Sequence, residues 1–126
     1  MAINLMRAAK ANAASDIEVG KHYKKEELAG KWLTIERVGL VDKDYIKRGK
    51  PVLDDNGEVQ HLLWSQFRFK EITDGYFRGF STLTATVQEW MHEFNGDLEA
   101  LNAALAETPI QICMRPEGSR WTYDVR

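Results

Sequence analysis

Two groups of residues in this chain are of types that do chemistry, and only one of them forms a pattern. The histidines His22, His61 and His92 stand far apart, and the single thiol is Cys113. No His-x-x-x-His or Cys-x-x-Cys spacing occurs, and a structural zinc wants about four close ligands. Ser65 shares a strand-like run with His61, but neither sits at the kind of turn that presents a nucleophile to its base. No Gly-rich loop followed by Lys and Ser/Thr is available to cradle a phosphate. Asp54 and Asp55 lie in a turn before Gly57 and read as solvated carboxylates rather than a cation site. The expectation is a protein without enzymatic activity, catalytic residues, metal or cofactor.

The second group mixes aromatics with cations. In Leu62-Leu63-Trp64-Ser65-Gln66-Phe67-Arg68-Phe69-Lys70, strand alternation puts Leu63, Ser65, Phe67 and Phe69 on one face. Leu62, Trp64, Gln66, Arg68 and Lys70 fall on the other. The first set suits a core. The second joins an indole to an amide and two cations, a mixture suited to unpaired nucleic acid. Bases stack on aromatic faces for ~1–3 kcal/mol each, while cations track the phosphates. Tyr76 and Arg78 alternate against Phe77 in the next run, and Tyr45, Lys47 and Arg48 add to the mixture from the segment before. Trp32 flanks an earlier run. The candidate nucleic-acid contacts are therefore Trp64, Arg68, Lys70, Tyr76, Arg78, Tyr45, Lys47, Arg48 and Trp32. Each has a plainer role open to it. Trp64 can pack under the long loop, Trp32 at the core edge and Tyr76 in the core, and the cations can simply be solvated charges that discourage edge pairing.

The elements that must position these residues follow from periodicity. Residues 1–22 are Ala-rich and read as an N-terminal arm or short helix, with one domain over 23–126. Lys24 to Gly30 resembles a helical turn stopped by glycine. Trp32 to Val41 is rich in β-formers and is interrupted at Gly39, which suggests a bulge or bend. A polar loop runs from Asp42 to Val59. A strand over His61–Ile72 turns at Thr73-Asp74-Gly75 into a hairpin partner, Tyr76–Phe80. Leu83, Val87, Trp90, Met91 and Phe94 then form one apolar helical stripe, capped by Ser81 or Thr82. Asp97 caps a second short helix that Pro109 stops. Ile110–Met114 and Arg120–Val125 alternate as a closing hairpin. This order predicts a mainly β fold with a helical insertion: an OB-fold, a five-stranded partly open barrel with the helix between its third and fourth strands, with an SH3-like barrel or an α+β sheet backed by one helix as the alternatives of similar composition.

Composition sets the outer bounds. At 126 residues and 44% hydrophobic, the chain has the size of one domain with a real core. No run approaches ~18 apolar residues, so no membrane span is expected. Arg7 and Lys10 interrupt the first fifteen residues, which lack the apolar centre of a secretory signal. With the lone cysteine, this points to a reducing, cytoplasmic setting. The net charge is −2, mildly against a nucleic-acid binder. It is uneven, however: residues 20–80 hold twelve Lys/Arg against ten Asp/Glu, and residues 84–126 hold three against seven.

Three stretches carry a resemblance: Tyr23-Lys24-Lys25-Glu26-Glu27-Leu28-Ala29-Gly30-Lys31-Trp32-Leu33-Thr34-Ile35-Glu36, Phe67-Arg68-Phe69-Lys70-Glu71, and Tyr76-Phe77-Arg78-Gly79-Phe80-Ser81-Thr82-Leu83 leading into a Trp-containing helix. Together they resemble the small OB-fold single-stranded-DNA-binding proteins of tailed bacteriophages and prophages, over about residues 23–125. The resemblance implies sequence-independent binding of single-stranded DNA in phage replication or recombination, inside the bacterial host cell. It also implies a homodimer or larger assembly, with phage replication or recombination proteins as partners. The alternative is a phage-encoded protein–protein adaptor or inhibitor on a similar barrel, working through the 42–59 loop and suggested by the acidic second half.

Overall fold

The computed structural model describes residues 17–126. The expected arm or helix at the N-terminus lies outside the described residues as far as residue 16. In chain order the elements are Lys21–Tyr23 (β1), Lys25–Leu28 (α1), Trp32–Asp44 (β2), Ile46–Lys47 (β3), Lys50–Pro51 (β4) and His61–Phe69 (β5). Gly75–Arg78 (β6), Ser81–Glu93 (α2), Leu98–Glu107 (α3), Gln111–Glu117 (β7) and Arg120–Val125 (β8) complete them. Six strands form one sheet in the order β1-β6-β5-β2-β7-β8, and β3 pairs only with β4. β1 runs parallel to β6, and the other neighbours are antiparallel.

β2 is the long central strand and organises the rest. Its first part pairs with β7 and its remainder with β5. Ile35 stands opposite Phe69 and Arg37 opposite Arg68, so Glu36 is an extra residue, a β-bulge. Side chains alternate along a strand, so this one insertion lets Leu33, Ile35, Val38 and Leu40 all point inward. The bulge lies at Glu36 rather than at Gly39, which pairs regularly with Gln66. α3 fastens it: the Asn102 side chain accepts from the Val38 amide at 2.8 Å and donates to the Val38 carbonyl at 3.0 Å.

One face of the sheet carries the core. Phe67, Phe69 and Phe77 pack there with the β2 aliphatics, Ile112 and Met114. α2 lays Leu83, Val87 and Met91 onto them, flanked by half-buried Trp90 and Phe94, and α3 adds Leu101 and Leu105. Each such side chain, once enclosed, contributes roughly 1.5–3 kcal/mol. The residue capping α2 is Phe80, without a side-chain cap, rather than Ser81 or Thr82. Asp97 does cap α3, accepting from the Ala100 amide at 3.1 Å.

The architecture is therefore mixed α/β and strand-rich, a curled six-stranded half-barrel with its helices on one face. Both expected helices lie between β6 and β7. The fold departs from the expected barrel in its closure. No ladder joins β6 to β8, because β1 occupies the outer edge of β6. The gap is spanned by side chains instead. The Phe80 ring lies 6.2 Å from that of Trp121, and the Thr82 hydroxyl donates to the Trp121 carbonyl at 3.4 Å. The expected long loop is partly ordered as well: β2 continues to Asp44, and the β3–β4 hairpin follows, with Arg48 and Gly49 at φ 53° and 76°. Among the described residues, no helix is long and apolar enough to cross a membrane.

Candidate nucleic-acid interface

Because α2 and α3 cover one face, the opposite face of β1, β6, β5 and β2 is free of both, and residues 17–20 lie on it. Residues directly across an antiparallel ladder share a face. Val41 is opposite Trp64, Gly39 opposite Gln66 and Arg37 opposite Arg68, while Gln66 is also opposite Arg78. Tyr76 alternates with Arg78 and stands beside His22 of β1. The register therefore gathers Trp64, Arg68, Tyr76 and Arg78 on the face turned away from α2 and α3, around Gln66.

Trp64 is half-buried and is the centre of this group. Arg78 places its guanidinium carbon 4.9 Å from the indole centroid, and Lys43 its ammonium 5.8 Å away, both within cation–π range. At the β1 end, the Tyr76 and His22 rings stack with centroids 5.1 Å apart and planes within 1° of parallel. Arg68 is half-buried and reaches the carbonyls of Ile17 and Val19 at 3.4 and 3.5 Å, the long limit for a hydrogen bond. Arg78 also donates from Nε to the Glu18 carboxylate, and this bond holds the guanidinium still more firmly in its charged form against the opposing effect of burial. Residues 17–20 thus cross the face and occupy two of its cations.

The other expected contacts lie elsewhere. Lys70 is exposed in the turn after β5, where its amide donates to the Thr34 carbonyl at 3.0 Å. Tyr45, half-buried, and exposed Lys47 and Arg48 belong to the β3–β4 arm. Tyr45 lies four residues beyond Val41, about 13 Å along the strand from the row of Trp64. Trp32 stands at the far end of β2, nine residues or ~30 Å along the strand from that row. There Arg126 covers its ring at 4.2 Å. The structure does not bring Lys70, Tyr45, Lys47, Arg48 or Trp32 together with the Trp64 cluster.

Four members of the face were not singled out from the sequence: Lys43, Gln66, Arg37 and Glu18. Lys43 and Arg37 share the face with Trp64 only because the Glu36 bulge resets the alternation, so counting from Leu33 alone misplaces them. Gln66 alternates with Phe67, and that signal was present. Among the described residues no group of three His, Cys, Asp or Glu side chains could hold a metal ion. The face can accept a stacked ring and bind anions, and among the described residues no nucleophile–base pair converges on it. Compared with known proteins, the chain matches no family model, no curated protein and no solved structure.

Proposed function

We propose that the face turned away from α2 and α3 binds single-stranded DNA without sequence preference. The observation that carries this reading is the convergence of Trp64, Arg78, Arg68 and Tyr76 on the face turned away from α2 and α3. Bases would stack against Trp64 and Tyr76, and phosphates would meet Arg78, Arg68 and Lys43. The strand order β6-β5-β2-β7-β8, with helices inserted after β6, supports an OB-like barrel left open between β6 and β8. A role in phage replication or recombination, and assembly as a homodimer, rest on the family resemblance alone.

Titration with oligo-dT, read through tryptophan quenching, tests the proposal. Stacking on one aromatic is worth ~1–3 kcal/mol, so Trp64→Ala weakens binding roughly tenfold. Three phosphate-neutralising cations give a log–log salt slope of about −2, hence a roughly 20-fold loss between about 50 and 200 mM salt. A flat titration at low salt for the unmodified protein removes the proposal.

A second reading is favoured by the projecting arm. Ile46 and Leu53 are 59% and 56% exposed, and Leu62 and Leu63 at its base are also exposed. Four exposed aliphatics on one segment suit a protein partner. This reading predicts no response to oligo-dT and loss of partner capture on Ile46→Ser with Leu53→Ser.

A further inference from the structure

The segment crossing the face is poorly matched to what it covers. Ile17 is 0% exposed and lies over Gly39, where an added Cβ would come within 2.8 Å of the Ile17 Cδ1 and 2.5 Å of the Gln66 Oε1. The missing side chain at Gly39 is what lets both lie flat on the strand. Gln66 is also 0% exposed, yet neither atom of its amide has a hydrogen-bond partner among the described residues. The Trp64 Nε1 is likewise buried and unpaired. Buried polar groups are ordinarily satisfied, so an isoleucine over an orphaned amide is an unfavourable arrangement. One residue on, the Glu18 carboxylate sits on Arg78, which is itself stacked toward Trp64. A carboxylate on a guanidinium beside an indole is the arrangement a phosphodiester would adopt next to a stacked base.

We propose that residues 17–20 occupy a nucleotide subsite, as an internal stand-in that single-stranded DNA displaces. Glu18 takes the place of a phosphate on Arg78, and Ile17 takes the place of a base over Gln66. This rests on the single-stranded-DNA reading above and assigns Gln66 a role in it. A base edge carries both donors and acceptors, so it can supply the Gln66 amide with the partners that no described residue gives it. The segment can lift without detaching. Beyond Gly20, at φ 88°, β1 stays on β6 and is held by Lys21 to Glu27 at 2.8 Å and by the Tyr23 hydroxyl to Asp74 at 2.6 Å. The intramolecular carboxylate sets a threshold: weak anions do not dislodge it, whereas a strand that engages Trp64, Arg68 and Arg78 together does.

The test compares oligo-dT binding by the full chain, Glu18→Gln, Glu26→Gln and Gln66→Leu at two salt concentrations. Glu26 is exposed on α1 and controls for the change in net charge. Glu18→Gln tightens binding about three- to tenfold relative to Glu26→Gln, the scale of one partly buried ion pair. Gln66→Leu weakens binding several-fold without lowering the melting temperature. Equal affinities for Glu18→Gln and Glu26→Gln, with the unmodified protein binding, overturn the stand-in and leave the DNA reading intact. Unchanged affinity in Gln66→Leu also overturns it. No binding by any of the four proteins removes the DNA reading itself, and with it this one.

Discussion

Thr34 gives both its amide and its hydroxyl to the Glu71 carboxylate, at 2.6 and 2.7 Å. Burial by itself would push the Glu71 carboxyl up, but these bonds, with its own amide and the charge of Lys70, outweigh that and hold it below the usual carboxylate range. A carboxyl depressed on folding contributes stability above its unfolded value and loses it as pH falls through the folded one. Glu71→Gln is therefore destabilised at neutral pH by of order 1 kcal/mol after allowance for solvent exposure. The difference shrinks as pH falls from neutral through the depressed folded value, and it is gone at acid pH once the carboxylate is protonated in both states. Urea midpoints at neutral and acid pH check this, and an equal gap at both would assign the effect to packing. Single residues were also where the sequence was easiest to read. Alternation alone separates Trp64, Gln66 and Arg68 from Phe67 and Phe69, since one face must be apolar to be buried. The partner of Arg78 was hidden, because Glu18 is sixty positions away and a surface carboxylate has no pattern that names its cation.

Helices and strands were legible where their period is strong. The Leu83/Val87/Met91 stripe and the Asp97 cap are local signals, and local physics determines them. The β2 irregularity was not legible. Glycine suggests a break at Gly39, yet Gly39 sits in regular pairing because Ile17 and Gln66 need the space its side chain would fill. The bulge falls at Glu36, where Asn102 of a helix distant in sequence supplies both hydrogen bonds that the Val38 backbone lacks. That contact is non-local and leaves no periodic trace. Asn102→Ala removes both bonds and leaves a part-buried amide and carbonyl unpaired, at a cost of about 2–3 kcal/mol. Chemical denaturation reads this directly, and a loss under about 0.5 kcal/mol, within the range of ordinary surface substitutions, would mean that water replaces the side chain.

At the scale of the whole molecule, strand content and helix placement follow from the sequence, whereas closure does not. Whether β6 meets β8 depends on what takes the β6 edge, and a three-residue parallel strand, β1, takes it. Nothing in Lys21-His22-Tyr23 announces that choice, because three residues are too few for a period. The helices then concentrate apolar burial on one side and leave the aromatic and cationic residues on the other. This division, more than the net charge of −2, decides where an anionic polymer could lie.

The β3–β4 tip has a consequence for handling the protein. Arg48 and Gly49 form an exposed two-residue turn, with exposed Lys47 just before it at the end of β3, whereas Lys50 is shielded from trypsin by Pro51. Brief digestion should cut first after Arg48. The two pieces would stay together through the continuous ladder of β2 with β5 and part only in denaturant. A gel-filtration profile unchanged by the nick, beside two bands on a denaturing gel, is the expected result, and such a clipped preparation would report whether the tip matters to any ligand.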